Sequence, residues 1–448
     1  MDFNRWKELA VKEAKRRNLT DYELYYVEEE MAKISAFRED VKGFSSQKQG
    51  GICLRLTADG RTGYASTELP DESQIGMLFD RALENASLFE TASAEGLRAD
   101  EEIYGEKTVE AYDIPDVASL TEEVLALQKA AYAADARVSD GTESCVISRR
   151  RTVRLYNPLG LDLENSTGYS VAFIEALVRQ GDETNVGRSL AVGDMAQFDP
   201  DGMAKEAAGD GCAKLGAVLV PSGSYPVIFD SRQMITFLEA FSAVFSAENA
   251  QKGLSLLSGL EGQQTAAKCV TLIEDPLCRY SPVQTPFDDE GTAVREKKII
   301  DGGILTTLLY DRKTAGVAGT VSTGNGIKGR YDQTVSPGYF CLYLKPGVKS
   351  RELLCAGIKE GVLVNEIKGL HAGTNEVTGD FSIESAGFFI RDGKVSHPIK
   401  SFTVAGNFFD LLKDILAVGS DLHFGMPKGA SVVGSPSVLI SHLSVAGK

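Results

Sequence analysis

The chain has 448 residues, 43% of them apolar and 25% charged, with 45 glycines. That is ordinary globular usage with a turn-rich lean, long enough for two or three domains at about 100 to 200 residues each. A net charge of −16 and a pI near 4.9 argue against direct nucleic-acid binding, because phosphate contacts need clustered Lys and Arg.

The opening segment MDFNRWKELAVKEAKRR mixes charges throughout and lacks the apolar core and small-residue cleavage site of a signal peptide. With no apolar run near the roughly 18 residues that span a bilayer, a cytoplasmic location away from membranes is predicted. Trp6, Leu9, Ala10, Glu13 and Ala14 fall at helical spacing, which predicts a helix ending near Asn18. Short strands follow at Tyr22 to Val27, Met31 to Phe37 and Gly51 to Thr57, and the Asp59-Gly60 turn leads to another at Thr62 to Ser66. A helix is predicted from about Asp71 to Glu90, with Ile75, Leu78, Phe79, Ala82 and Ala86 on one face.

Thr91 to Asp113 is acidic and aperiodic, a first boundary. A helix over Asp116 to Ala134, alternating strands from Val153 to Leu177 and a helix from about Pro200 to Leu219 make up the middle region. Pro221-Ser222-Gly223-Ser224 is the second boundary. Beyond it come a strand to Asp230, one helix from Ser231 to about Ala250, strands with glycine-rich turns, a helix from Asn407 to Val418 and a last strand near Ser437 to Leu443. The expected class is α+β, in three parts: residues 1–112, residues 113–222, and a large, mostly antiparallel sheet-rich domain with packed helices at 223–448.

Several constellations carry little chemistry. Arg149-Arg150-Arg151, with Arg154, reads as a solvated strand or loop edge. The seven cysteines are scattered without a CxxC pair, as expected of reduced thiols. Gly324 to Gly329 satisfies G-x-G-x-x-G, yet the sequence after it predicts a strand, leaving no helix N-terminus to hold a pyrophosphate. The four histidines, His371, His397, His423 and His442, are too far apart to form a helical metal pair. His371 with Asp380 and Glu384 is the one conceivable remodelled metal set. No GxSxG elbow supports a serine hydrolase.

The stretch GTNEVTGDFSIESAGFFIRDGKVSHPIKSFTVAGN, Gly373 to Asn407, joins a Thr378-Gly379-Asp380 turn to a hairpin at Arg391-Asp392-Gly393-Lys394. With its terminal AGN and the upstream STGNG run at Ser322 to Gly326, it resembles the TldD/PmbA family. Members of that family carry a TGD(F/Y)S turn, a similar hairpin and (I/V)AGN. In the family's catalytic branch a helix carries HExxxH, two zinc-binding histidines and a water-activating glutamate, and a cysteine near the C-terminus adds a ligand.

Aligning that helix on Lys252 and Gly253 puts Leu238 and Ala243 at the histidine positions and Glu239 at the glutamate, facing away from the apolar stripe as an exposed helical residue. No cysteine follows Cys355. The resemblance is therefore to the PmbA/TldE branch, also called modulators of DNA gyrase. It implies a chain with no catalytic residues or zinc of its own, paired with a TldD-type HExxxH subunit that holds the zinc. It further implies a cytosolic complex acting on unfolded peptides, microcin precursors and antitoxin-like proteins. Gly324, Asn325, Gly326, Asn375, Thr378, Gly379, Asp380 and Ser382 are the candidate walls of a peptide groove, or turn residues fixing the sheet. A self-sufficient hydrolase with a remodelled site and a homodimeric regulator are the alternatives.

Overall fold

The computed structural model describes residues 3–38, 40–68, 71–88, 97, 103–109 and 112–448. Helix α1 (Phe3–Arg16) buries Phe3, Trp6, Ala10 and Ala14 along one face, as the spacing predicts. Strands β1 (Tyr22–Phe37), β2 (Asp40–Ala58) and β3 (Arg61–Thr67) form a meander, followed by helix α2 (Ile75–Ser87). The expected end of α2 at Glu90, and most of the acidic boundary from Thr91, lie outside the described residues. Helix α3 (Val117–Ala134) starts at Asp116, whose carboxylate accepts from the Ser119 amide at 2.7 Å. Strands β4 (Glu143–Tyr156), β5 (Asp162–Gln180) and β6 (Glu183–Gly193) then lead to helix α4 (Pro200–Ala213), shorter than the expected run to Leu219.

These six strands make one antiparallel sheet in the order β3-β2-β1-β4-β5-β6. It is continuous across residue 112, because β1 pairs with β4 from Leu24↔Tyr156 to Phe37↔Glu143. Alternation divides its residues between two faces. Leu24, Ile34, Ile52 and Val146 turn toward the four helices, and Tyr25, Val27, Val153 and Tyr169 turn toward the C-terminal region.

Two sequence expectations change here. The separate strands at Tyr22 to Val27 and Met31 to Phe37 are one strand, and the arginine run sits in the interior of the sheet rather than at an edge. The cause is shared: Glu28, Glu29 and Glu30 of β1 are neutralised by Lys48 of β2 and by Arg151 and Arg150 of β4, at 2.8, 3.3 and 2.7 Å. Cross-strand ion pairs carry the sheet through a charged stretch.

The C-terminal region begins with β7 (Gly223–Phe229), α5 (Ser231–Phe241) and α6 (Ala247–Gln251). Short elements follow: β8 (Leu272–Glu274), β9 (Lys297–Asp301), β10 (Ile304–Leu305), α7 (Arg312–Ala318), β11 (Gly326–Ile327), β12 (Ser336–Pro337), β13 (Cys341–Leu344) and α8 (Arg351–Cys355). Strand β14 (Glu360–Lys368) and α9 (Leu370–Gly373) precede the hairpin of β15 (Asp380–Arg391) and β16 (Lys394–Asn407). Helix α10 (Phe408–Lys413), β17 (Ile415–Val418), β18 (His423–Phe424), β19 (Val432–Ser435) and β20 (Val438–Ala446) complete it. The hairpin turn is the predicted one: Asp392 and Gly393 adopt φ of 50° and 77°, the left-handed pair that a two-residue turn requires.

Strands run in the order β16-β15-β14-β7-β20-β17, and β16 also pairs with β20, so five of them close on themselves. A second sheet, β10-β9-β8-β13-β19-β18, lies alongside. Most pairings are antiparallel; β14 with β7 and β13 with β19 are parallel. The class is α+β and sheet-rich, as expected.

Two helices of the C-terminal region also differ from expectation. The expected helix from Ser231 to Ala250 breaks after Phe241 into a 3-10 turn, Ser242–Phe245, and α6. Side chains take the backbone carbonyls that the break frees: Ser242 Oγ bonds Glu239 O, Asn249 Nδ2 bonds Ala243 O and Ser255 Oγ bonds Val244 O. The helix expected to run to Val418 ends at Lys413, because Ile415 to Val418 pair with β20.

Candidate functional site

Helix α5 has two different faces. Asp230 caps it, accepting from the Gln233 amide at 2.9 Å; burial pushes this carboxyl up to about 6 against that hydrogen bond. Met234, Phe237, Leu238 and Phe241 are fully buried in the main core. Phe237 lies 4.9 Å from the rings of Phe229 and Phe381, and Phe241 stacks on Phe408 at 4.5 Å.

Arg232, Ile235, Thr236 and Glu239, spaced i, i+3, i+4 and i+7, line a cavity of about 270 Å³. Its far wall is the segment from His423 to Lys428, with Leu190 of β6 at the side. Gly425 permits this close approach, since a Cβ there would stand 2.9 Å from Ile235 Cγ2. Glu239 is therefore not the exposed residue expected from the helical wheel. Its side chain is 19% exposed and its Oε2 accepts from Lys428 Nζ at 2.8 Å. Burial pushes the neighbouring Tyr339 phenol up to about 12, and the Glu239 charge adds to the shift.

His423 Nδ1 lies 2.9 Å from the Asp421 carbonyl and 3.0 Å from Ser231 Oγ. A carbonyl only accepts, so Nδ1 carries a proton and donates to it. Lys428 is held by reciprocal backbone bonds to Ser431, at 2.8 and 3.1 Å, and Tyr169 donates to the Pro427 carbonyl at 3.1 Å. The cavity thus holds a paired carboxylate and ammonium, an imidazole and apolar flanks. It suits binding of a polar backbone more than proton transfer.

The eight candidate groove residues fall in two groups, each bonded to its own surroundings. Asn325 is buried; it donates to the Gly338 carbonyl at 2.9 Å and accepts from Thr323 at 2.8 Å. The Gly326 amide bonds Asp288 Oδ2 at 2.9 Å, and Gly324, at φ 71°, packs against the Ala293 backbone. In the other group Asn375 Oδ1 accepts from the Val377 and Thr378 amides. Thr378 Oγ1 bonds Asp380, and Asn407 Nδ2 reaches Thr378 O at 2.8 Å and Asp380 Oδ1 at 2.9 Å. The Gly379 carbonyl accepts from the Phe408 amide at 2.7 Å, and Ser382 is exposed on β15. This second group ties the start of β15 to the start of α10.

Residues 222–447 match the PmbA/TldA metallopeptidase C-terminal domain, residues 22–86 match its domain 1 and residues 110–213 its central domain. The chain belongs to the PmbA/TldD family. It is 25% identical to a metalloprotease PmbA homolog of Haemophilus influenzae, over 92% of this chain and 89% of that one. An uncharacterized protein of Methanocaldococcus jannaschii is 26% identical over 92% and 94%. A crystal structure from Thermotoga maritima, described as a proposed modulator of a DNA gyrase, superposes with a TM-score of 0.89 at 27% identity, covering 99% of this chain and 100% of that one. The fold is also that of TldE from Thermococcus kodakarensis, at a TM-score of 0.88, 22% identity and coverage of 99% and 100%.

A family zinc site on α5 does not fit the residues present. A catalytic zinc needs three protein ligands and an open position. Leu238 packs in the core, Ala243 lies in the 3-10 turn beyond the helix, and Glu239 is paired with Lys428. Neither hydrocarbon side chain offers a lone pair. Among the described residues no group of three or more His, Cys, Asp and Glu side chains gathers at one point, and His371, Asp380 and Glu384 are each exposed. Sequence reasoning missed His423 and Lys428. The turn-forming Pro427-Lys428-Gly429 was the available signal, and only the fold shows that it faces α5.

Proposed function

We propose that this chain is the metal-free, PmbA/TldE-like subunit of a cytosolic TldD/TldE-type metalloprotease complex. Its part is to hold extended or unfolded peptide for a partner whose HExxxH helix carries the zinc. One observation carries the reading: at the three positions that the resemblance assigns to the family motif stand a core leucine, an alanine in a turn and a glutamate neutralised by a lysine. Full-length similarity to a metalloprotease PmbA homolog supports it. So does the form of the molecule. Residues 40 to 49 of β2 are exposed and paired only with β1, since β3 joins from Ile52 onward. An unpaired strand edge offers backbone donors and acceptors to an extended chain or a partner subunit without regard to sequence.

The test is a peptidase assay on an unfolded protein with this chain alone, a TldD-type partner alone and their mixture, each with and without chelator. Cleavage confined to the mixture and abolished by chelator is the expected result. Chelator-sensitive cleavage by this chain alone would overturn the assignment, and a stable homodimer indifferent to any such partner would replace it with a regulatory role.

A further inference from the structure

The face of the N-terminal sheet opposite its helices carries two registered rows of mainly polar side chains. Gln47, Met31, Arg149 and Tyr169 lie side by side across β2, β1, β4 and β5. Gln49, Glu29, Arg151 and Thr167 form the next row. Together they floor a cavity of about 230 Å³ that Gly429 borders from the C-terminal region.

The three arginines there are not equivalent. Arg150 is bound by Glu30 at 2.7 Å and Asp113 at 2.8 Å. Arg151 is bound by Glu29 at 3.3 Å and by Tyr25 Oη at 3.0 Å. Arg149 has no hydrogen-bond or ion-pair partner among the described residues, although the chain as a whole carries 16 excess negative charges. A second unmet group sits in the adjacent row: Thr167 is only 7% exposed, and its Oγ1 lacks any hydrogen-bond partner. Buried hydroxyls are ordinarily paired, so an orphan beside a free guanidinium marks a place for an acceptor from outside the chain.

The cavity also has neighbours. One of about 760 Å³ lies further along the same face, where Ile147, Val171, Phe173, Leu190 and Met426 supply apolar walls. Leu190 and Met426 also line the cavity of Glu239 and Lys428. In the other direction Glu29, Gln49 and Arg151 pass into a cavity bordered by Tyr331. The run continues past Arg149 on both sides, which suits a side chain of a passing strand better than a chain end.

We infer that Arg149 is a subsite for an acidic side chain of an extended peptide, with the Thr167 hydroxyl as a second donor and the Phe173–Leu190–Met426 cavity as an apolar subsite beside it. Guanidinium and carboxylate match in a forked, charge-assisted geometry. The inference rests on the peptide-holding role proposed above and names a substrate preference for it: unfolded segments that pair an acidic with a large apolar residue. Salt will weaken that preference, because the subsite is open to solvent.

The test uses the full chain and a fluorescein-labelled, unstructured peptide with an amidated C-terminus and one central glutamate between leucine and phenylalanine. Anisotropy is expected to show the wild-type chain binding it roughly tenfold more tightly than the glutamine version. Arg149→Gln erases that difference and Arg149→Lys retains part of it. Thr167→Val narrows it without lowering thermal stability, and Arg81→Gln, at an exposed arginine on α2 behind the opposite face of the sheet, leaves it unchanged. Equal binding of the two peptides by the wild-type chain, or discrimination that survives Arg149→Gln, overturns the inference and leaves the peptide-holding role standing. A gain produced only by a free C-terminus reassigns Arg149 to chain ends and overturns the side-chain subsite. Absence of any peptide binding, by the chain or by its complex, removes both proposals.

Discussion

Lys428 Nζ stands 2.8 Å from Glu239 Oε2, so the one carboxylate of α5 is answered by a lysine from the loop opposite. The lysine side chain is 65% exposed, which caps the pair's contribution to stability at about 0–1 kcal/mol. Lys428→Met should leave the urea midpoint almost unchanged while lowering cleavage by the mixture of subunits severalfold, because the cavity wall is altered. Peptidase activity appearing in the isolated Lys428→Met chain would show that the lysine had been masking a working base.

Histidines placed at the two positions that the resemblance assigns to the zinc motif should build no metal site. Leu238 is fully buried against aromatic rings, so Leu238→His places an imidazole in an apolar site at a cost of about 3 kcal/mol or more. Ala243→His lies beyond the helix break, where the i, i+5 geometry of a continuous helix is lost. The double variant is expected to melt earlier and to copurify with no stoichiometric zinc. A folded variant holding one zinc per chain would sink the packing account of this helix.

Much of this was legible in the sequence because local rules and tertiary structure agree. The α1 stripe, the Asp392-Gly393 hairpin and the apolar face from Met234 to Phe241 each follow from spacing or turn chemistry alone. Elsewhere distant residues decide. Glu28 to Glu30 reads as an interruption until Lys48 and the arginines of β4 lie across from it, and the stripe continuing through Val244 and Phe245 reads as helix until Asn249 and Ser255 take the freed carbonyls. The same limit hid the cavity, since nothing local joins Glu239 to a lysine 189 positions away.

The turn residues first considered for a groove are expected to act through structure. Asn407→Ala removes the cap on the Phe409 amide and both bonds to the Thr378–Asp380 turn, and should cost about 1–2 kcal/mol in chemical denaturation. Asn375→Ala and Asp380→Ala should lower complex activity only in proportion to the folded fraction they lose. A variant of either residue with full stability and little activity would return them to the substrate path.

Asp230 gives a pH dependence with a defined sign. Its partly buried carboxyl titrates at about 6 in the folded chain, above the ordinary value of about 4 in the unfolded one. Between about pH 4 and pH 6 the folded state therefore binds more protons than the unfolded state, so this group's contribution to stability falls as pH rises through that window and is constant above it. Asp230→Asn keeps an oxygen to accept from the Gln233 amide and removes the titration. Urea denaturation at pH 4.5 and 7.5 should show the variant gaining about 1–2 kcal/mol on the wild-type chain at the higher pH, other carboxylates such as Glu13 cancelling in the comparison. A gap between the two chains that stays constant across the window would mean that Asp230 is ionised throughout, its cap bond outweighing burial.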